Sequence, residues 1–240
     1  MDTSRPTLAL AVTAMMACAP MGDAGQAAGP QTYDAARRAM VADQIEGRGV
    51  RDPRVLAAMR EVPRHLFVPA GEQRDAYHDY PLPIGYNQTI SQPYIVALMT
   101  ELARPVPSDR ALEVGTGSGY QAAVLATLVD RVFTIELVEP LATAARERLA
   151  RLGYANVDVR QGDGYAGWPE EAPFDVILVT AAPESVPEAL VGQLKPGGRM
   201  VIPVGPVSDV QDLILIEKDG TGRTTSRSVI PVRFVPLIKR

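Results

Sequence analysis

Gly115, Gly117 and Gly119 alternate through Gly115-Thr116-Gly117-Ser118-Gly119, directly after the short run Ala111–Val114, in which Glu113 is the one charged residue. Backbone without Cβ atoms turns sharply and comes within contact distance of a ligand. Two further acids follow: Glu136, at the end of a second apolar run, and Asp163, inside Gly162-Asp163-Gly164. An acid about twenty residues past such a loop, at the end of the next strand, suits the paired hydroxyls of a ribose. Glu139 stands close enough to compete, and Glu136 is preferred because it follows the apolar run immediately. Asp163 suits the amino group of an adenine; its other reading is an ordinary Asp-Gly turn.

The spacing narrows the ligand. A dinucleotide fingerprint reads G-x-G-x-x-G and aims a helix N-terminus at a pyrophosphate. Glycines at 115, 117 and 119 behind an acid are closer to the loop that holds S-adenosylmethionine, which has no phosphate. Composition removes other classes. With 46% hydrophobic and 22% charged residues the chain is ordinary globular material, and a net charge of −4 gives no footprint for wrapping nucleic acid. Cys18 is the only cysteine, and His65 and His78 are the only histidines, so neither an internal disulfide nor a metal site is expected. Thr180-Ala181-Ala182-Pro183 lacks the Asn/Asp-Pro-Pro-aromatic pattern of enzymes that methylate nucleobase amino groups, and no cysteine stands where a cytosine C5 methylase needs one.

Elements must hold these residues in place. A helix is predicted from Tyr33 to Glu46, ended by Gly47 and Gly49, and a second after the cap Asp52-Pro53, with Val55, Leu56 and Met59 on one face and Pro63 at its end. His65–Gln92 shows little periodicity and reads as a long loop, apolar enough to pack. Pro93 starts a helix through Leu102. From Arg110 strands and helices alternate, the pattern of a parallel sheet. Strands are predicted at 111–114, 132–135, 157–159, 174–179 and 199–203, and helices at 120–129, around Leu141–Leu152, and at 186–194. Lys195-Pro196-Gly197-Gly198 reads as a cationic last turn followed by breakers. A hairpin of Leu213–Glu217 and Val229–Val235, joined by the polar turn Lys218–Arg227, closes the chain. The expected fold is α/β, a Rossmann-like, doubly wound, mostly parallel sheet with a C-terminal antiparallel hairpin and an N-terminal helical cap. Residues 1–32 form a leader and 33–240 one domain, with the cap and active-site loop in 33–109 and the cofactor-binding sheet and last strands in 110–240.

The leader has two readings. Thr7–Ala19 is apolar and too short to span a bilayer. It has the length of a secretory h-region, with Met15-Met16-Ala17-Cys18 a poor match to a lipoprotein cleavage box; alternatively it is an unstructured extension or reflects a start codon placed too early. No other segment is long and apolar enough to cross a membrane.

Several of these segments together carry a family resemblance. Val62-Pro-Arg-His-Leu-Phe-Val68, Leu82-Pro-Ile-Gly85, Gln88-Thr-Ile-Ser-Gln-Pro93, Glu113–Tyr120, Thr180–Pro183 and the tail Val232-Arg-Phe-Val-Pro-Leu237 resemble protein-L-isoaspartate O-methyltransferase, in order and from about Tyr33 onward. The resemblance implies methyl transfer from S-adenosylmethionine to the free α-carboxyl of an L-isoaspartyl residue in damaged proteins and peptides, followed by collapse of the ester to a succinimide. It implies cofactor contacts at Glu113, Gly115, Thr116, Gly117, Ser118, Gly119, Glu136 and Asp163. Ser91 matches the family's active-site serine, and it could also cap the helix at Pro93. Substrate contacts are implied at Thr89, Ile90 and Val235, with main-chain recognition by an Arg233–Leu237 strand. No metal, nucleic acid or spanning segment is implied, and a monomer is expected. Because the cofactor is made in the cytosol, the expected compartment is the cytoplasm, with export or lipid anchoring through residues 1–28 as the alternative. Competing readings are a small-molecule methyltransferase on the same fold and a non-catalytic S-adenosylmethionine-binding module; a dehydrogenase is disfavoured by the glycine spacing.

Overall fold

The computed structural model describes residues 1–2, 30–207 and 209–239; the apolar run Thr7–Ala19 and Cys18 lie outside them. The helical cap begins with α1 (Pro30–Ala39), earlier than Tyr33, and continues as a π-helical turn over Met40–Ile45 before Gly49, at φ 103°, ends it. Met40, Val41 and Ile45 in that wider turn are buried, so the segment follows the core where a regular helix over 33–46 was expected. In α2 (Pro53–Glu61) the Asp52 side chain accepts from Arg54 N, and Val55, Leu56, Ala58 and Met59 are buried, as a capped amphipathic helix requires.

The long loop expected after His65 contains an unforeseen hairpin. β1 (Leu82–Gly85) and β2 (Gln88–Ile90) pair antiparallel around Tyr86 and Asn87, both at positive φ. A pair of left-handed residues is the turn whose twist matches a two-residue hairpin. It feeds α3 (Pro93–Ala103).

The remaining strands form one seven-stranded sheet. They are β3 (Arg110–Val114), β4 (Arg131–Glu136), β5 (Val157–Gln161), β6 (Phe174–Val179), β7 (Leu194–Val204), β8 (Gln211–Lys218) and β9 (Thr224–Val232), in the order β5-β4-β3-β6-β7-β8-β9. The first five run parallel and the last two pairings are antiparallel. Helices α4 (Tyr120–Ala126), α5 (Glu139–Arg151) and α6 (Glu188–Gln193) connect the parallel strands. Alternate strand residues enter opposite cores: Ala111, Val176, Leu178 and Val201 pack on one face, Leu112, Val114, Ile177, Val179 and Ile202 on the other. A sheet covered on both sides explains why β6 is an unbroken apolar run. This is the doubly wound fold that the alternating pattern implies.

Two C-terminal expectations change. Lys195 does not close a helix; it lies in β7 and pairs with Asp175 at 2.5 Å, so the Pro-Gly-Gly stretch is part of a long, irregular strand. Thr224–Arg227 belongs to β9 and not to the turn, which shrinks to Asp219–Arg223. As the outer strand, β9 can be polar on both sides, so it gives no apolar signal. It also ends at Val232, short of Val235.

Candidate active site

The order of strands reverses between β3 and β6, where an open α/β sheet leaves a crevice beyond its strand ends. The glycine loop turns there. Gly115 N and Thr116 N both donate to the Ile135 carbonyl, at 2.8 and 3.1 Å, tying the loop to the end of β4. Gly115 sits at φ +102°, and a Cβ on it would lie 2.5 Å from Thr180 Oγ1. That hydroxyl donates to the Gly115 carbonyl at 2.7 Å and so ties the loop to the end of β6 as well. Thr180 was not singled out as a site residue from sequence; its position at the end of the strand beside β3, across the order reversal, is the signal that could have found it.

Two acids stand behind this backbone. Glu113 is fully buried, and its Oε2 accepts from Thr134 Oγ1 at 2.5 Å, while Thr134 is itself 2.7 Å from Thr116 Oγ1. Its Oε1 has no partner among the described residues. Burial pushes the carboxyl up to about 8, against the Thr134 hydrogen bond and with some help from the charge of Glu136. Glu136 ends β4, buried, and accepts from Gly117 N at 2.8 Å through Oε2 and from Val138 N at 2.9 Å through Oε1. It clamps the loop while presenting its remaining lone pairs to the cleft. Glu139 is exposed at the start of α5 and does not line the cleft.

Thr116, Gly117 and Ser118 line the cleft with these acids, but two expected residues do not. A Cβ on Gly119, at φ +87°, would lie 3.2 Å from Leu149 Cδ1, so this glycine lets the start of α4 pack on α5. Asp163 accepts from Tyr165 N at 2.9 Å and sits beside the lining; its neighbour Gly164 is the residue that reaches the cleft.

The opposite wall comes from β2 and the C-terminal tail. Thr89, Ile90 and Ser91 line it, with Val235, Pro236 and Leu237 facing them. Gln92 is the N-cap of α3 and no side chain makes a capping bond there, so Ser91 does not serve as the cap and lines the cleft instead. The tail is no strand beyond Val232. It crosses the end of β6 through Ala182 N to the Val235 carbonyl and Leu237 N to the Ala182 carbonyl, both 2.8 Å. Pro236, with no N–H, cannot continue a ladder.

The cleft is lined by two acids, Glu136 and the buried Glu113 whose carboxyl is raised to about 8, and by no lysine or arginine. Such a lining suits a cationic ligand and supplies no counter-ion to a pyrophosphate.

Comparisons with known proteins agree with this geometry. The sequence model of the protein-L-isoaspartate(D-aspartate) O-methyltransferase (PCMT) family matches residues 35–240. The chain is 54% identical to protein-L-isoaspartate O-methyltransferase 2 of Syntrophobacter fumaroxidans, over 97% of both sequences. It is 52% identical to protein-L-isoaspartate O-methyltransferase 1 of Cupriavidus necator, over 98% of this chain and 93% of the other. Among solved structures, a Plasmodium falciparum protein described as a protein-L-isoaspartate O-methyltransferase, in complex with S-adenosyl-L-homocysteine, superposes with a TM-score of 0.73. That match has 27% identity and covers 85% of this chain and 99% of the other.

Proposed function

The chain belongs to the protein-L-isoaspartate(D-aspartate) O-methyltransferase family, and we propose that it methylates the free α-carboxyl of L-isoaspartyl residues in damaged proteins. The observation that carries this reading is the cleft at the strand-order reversal, with Glu113 and Glu136 behind the glycine loop, no basic residue in its lining, and Ser91 on the opposite wall. Glu136 in a lining without lysine or arginine fits S-adenosylmethionine, whose sulfonium and ammonium groups are positive and which has no phosphate. Glu113, raised to about 8 by burial, offers its Oε1 as a hydrogen-bonding group and not as a charge at neutral pH. Glu136 would hold the ribose and the Gly115–Ser118 backbone would lie against the ligand. Bound there, the cofactor supplies an electrophilic methyl group.

The protein's own residues then have a limited task. An α-carboxyl has a pKa of roughly 3.5, so the nucleophile is already ionised at neutral pH and no general base is needed. Ser91 donates a hydrogen bond that orients the attacking oxygen. Thr89, Ile90 and Val235 hold the substrate backbone, and the β1–β2 hairpin with the tail keeps water from the transfer path. Labelled methyl transfer to a matched pair of isoaspartyl and aspartyl peptides tests the reading: transfer to the first alone is expected. Equal transfer to both, or to neither with cofactor still bound, would overturn it.

The residues that line the cleft run from Gln88 to Ile238, so residues 33–240 carry the proposed site without the leader, and the protein's place of work is a separate matter. Synthesis of the cofactor from ATP and methionine in the cytosol supports the cytoplasm as its place of work. No helix among the described residues is long and apolar enough to cross a membrane. Cell fractionation with a mass measurement of the mature chain tests the placement; a lipid on Cys18 or cleavage near Ala28 would overturn it.

A further inference from the structure

A second cavity opens beside the cofactor cleft and shares Thr89, Ser91, Thr180 and Val235 with it. Its own lining includes Arg48 and Arg233 and no aspartate or glutamate, on a chain whose net charge is −4. Arg48 lies over the Tyr94 ring, its Cζ 3.6 Å from the centroid, and is ion-paired with Asp79 at 2.5 Å. The Asp79 carboxylate does not line the cavity, and it is also taken by Gln92 Nε2 at 2.7 Å and Tyr94 N at 3.2 Å. Arg233 is exposed, and its guanidinium has no ion pair among the described residues. The nearest acid in sequence to the far rim, Asp209, accepts from Val210 N and is likewise outside the lining. The lining also holds the apolar side chains of Ile95, Ile230 and Phe234.

We propose that this cavity seats a residue flanking the isoaspartyl group and selects an acidic side chain there. The proposal rests on the isoaspartyl reading above and adds a specificity that the cofactor cleft does not supply. A peptide whose reacting carboxylate sits at Ser91 must leave the cleft, and the cavity that begins at Ser91 is its continuation. A carboxylate placed there meets the unspent charge of Arg233 and the stacked Arg48, whose charge is shared with Asp79, and no acid lines the cavity itself. An ammonium meets repulsion chiefly from Arg233. Complementary charge at the rim of a site chiefly sets which partner is accepted and how fast it arrives.

The test is a set of isoaspartyl hexapeptides in which Glu, Gln or Lys occupies, in turn, each of the two positions before and after the isoaspartyl residue. At the flank that enters the cavity, kcat/KM should be about two- to fivefold higher for Glu than for Gln, the size that an exposed ion pair supplies. Lys should be lower still, and the spread should shrink as salt is raised. Arg233→Glu changes an exposed, unpaired side chain, and cofactor affinity checks that it folds; it should abolish or invert the preference. Arg48→Gln should reduce it. No charge preference at any flank, or one that Arg233→Glu leaves intact, overturns the proposal while leaving isoaspartyl methylation standing. An equal loss for every peptide in Arg233→Glu also overturns it, because the arginine would then steer the reacting carboxylate. Failure of every peptide to be methylated would instead sink the underlying reading.

Discussion

The two chambers that meet at Ser91 have opposite charge and different construction. The cofactor cleft is acidic, and its floor is the carboxyl ends of β3, β4 and β6, where each group is tied by a short bond: Gly115 to Ile135, Gly117 to Glu136, Thr180 to Gly115. The adjoining cavity is basic, and its walls come from the cap, the β2–α3 junction, the end of the outer strand β9 and the C-terminal tail. Strand ends in a packed sheet are rigid and suit an invariant ligand. Segments attached at the margins can differ in side chain without disturbing the sheet, and they suit a substrate whose flanking residues vary. The contrast predicts that substitutions in the floor will act on cofactor binding and those at the shared wall on turnover.

The largest effect is expected from Gly115→Val. A β-branched residue at φ +102° costs about 1–2 kcal/mol in backbone strain, and a Cβ 2.5 Å from Thr180 Oγ1 adds about 1–3 kcal/mol of overpacking. Calorimetry should find no measurable S-adenosylhomocysteine binding, and denaturant unfolding should show a lower midpoint. Retained affinity would mean that the loop is not the floor of the site. Ser91→Ala comes next. Loss of one oriented donor at a reaction centre costs about 2.7–4 kcal/mol where charge develops on the acceptor. Here the nucleophile starts charged, so a fall in kcat of about ten- to a hundredfold is expected, with cofactor affinity near wild type. Glu136→Ala should do the reverse, raising the cofactor constant about tenfold through loss of a charged hydrogen-bond acceptor and leaving saturated turnover largely intact. If both variants move the same parameter, the division between floor and wall fails.

The floor was far more legible in sequence than the wall. Phe174–Val179 and Ala111–Val114 announce buried parallel strands because both faces are covered, and three glycines after such a strand leave few alternatives. Glu136 could be placed because an acid ending an apolar run has few other duties. The β1–β2 hairpin stayed hidden since its strands are four and three residues long, the first contains proline, and they turn on Tyr86-Asn87 without the usual glycine. The polar β9 gave no alternation to read, and the π-helical turn after Ala39 leaves no mark in spacing. Arg48 and Arg233 stand far apart in sequence, and only the folded sheet brings them to one cavity.

Glu113 allows the floor to be probed through pH. Its carboxyl is raised to about 8 in the folded chain against an ordinary value of 4.5, chiefly by burial. A raised carboxyl means that the folded state holds the proton more tightly. Its contribution to stability is therefore complete below about 4.5 and is lost as pH rises through about 8. Unfolding midpoints of the cofactor-free protein should fall between pH 6 and pH 9, and Glu113→Gln, which cannot ionise, should flatten that slope. An unchanged slope in the variant would show that Glu113 is ionised throughout.

The smallest effect is expected at Asp163, and it sharpens the boundary of the floor. The sequence places this acid where an adenine amino group could be recognised, yet in the fold its Oδ1 accepts from Tyr165 N and its neighbour Gly164 makes the contact with the cleft. A side chain that only shapes its own turn can be replaced by another that does the same, since an asparagine carbonyl accepts the Tyr165 hydrogen bond as well as a carboxylate does. Asp163→Asn should then change the cofactor constant less than about twofold, whereas Asp163→Ala loosens the turn and should raise it about two- to fivefold, the cost of one ordinary hydrogen bond. Direct adenine recognition gives a different pattern: asparagine can turn an N–H toward the amino group, so both variants should lose affinity to a similar degree. Titration of S-adenosylhomocysteine into the two proteins separates the cases, and equal losses of tenfold or more would extend the ligand-contacting floor to the loop after β5.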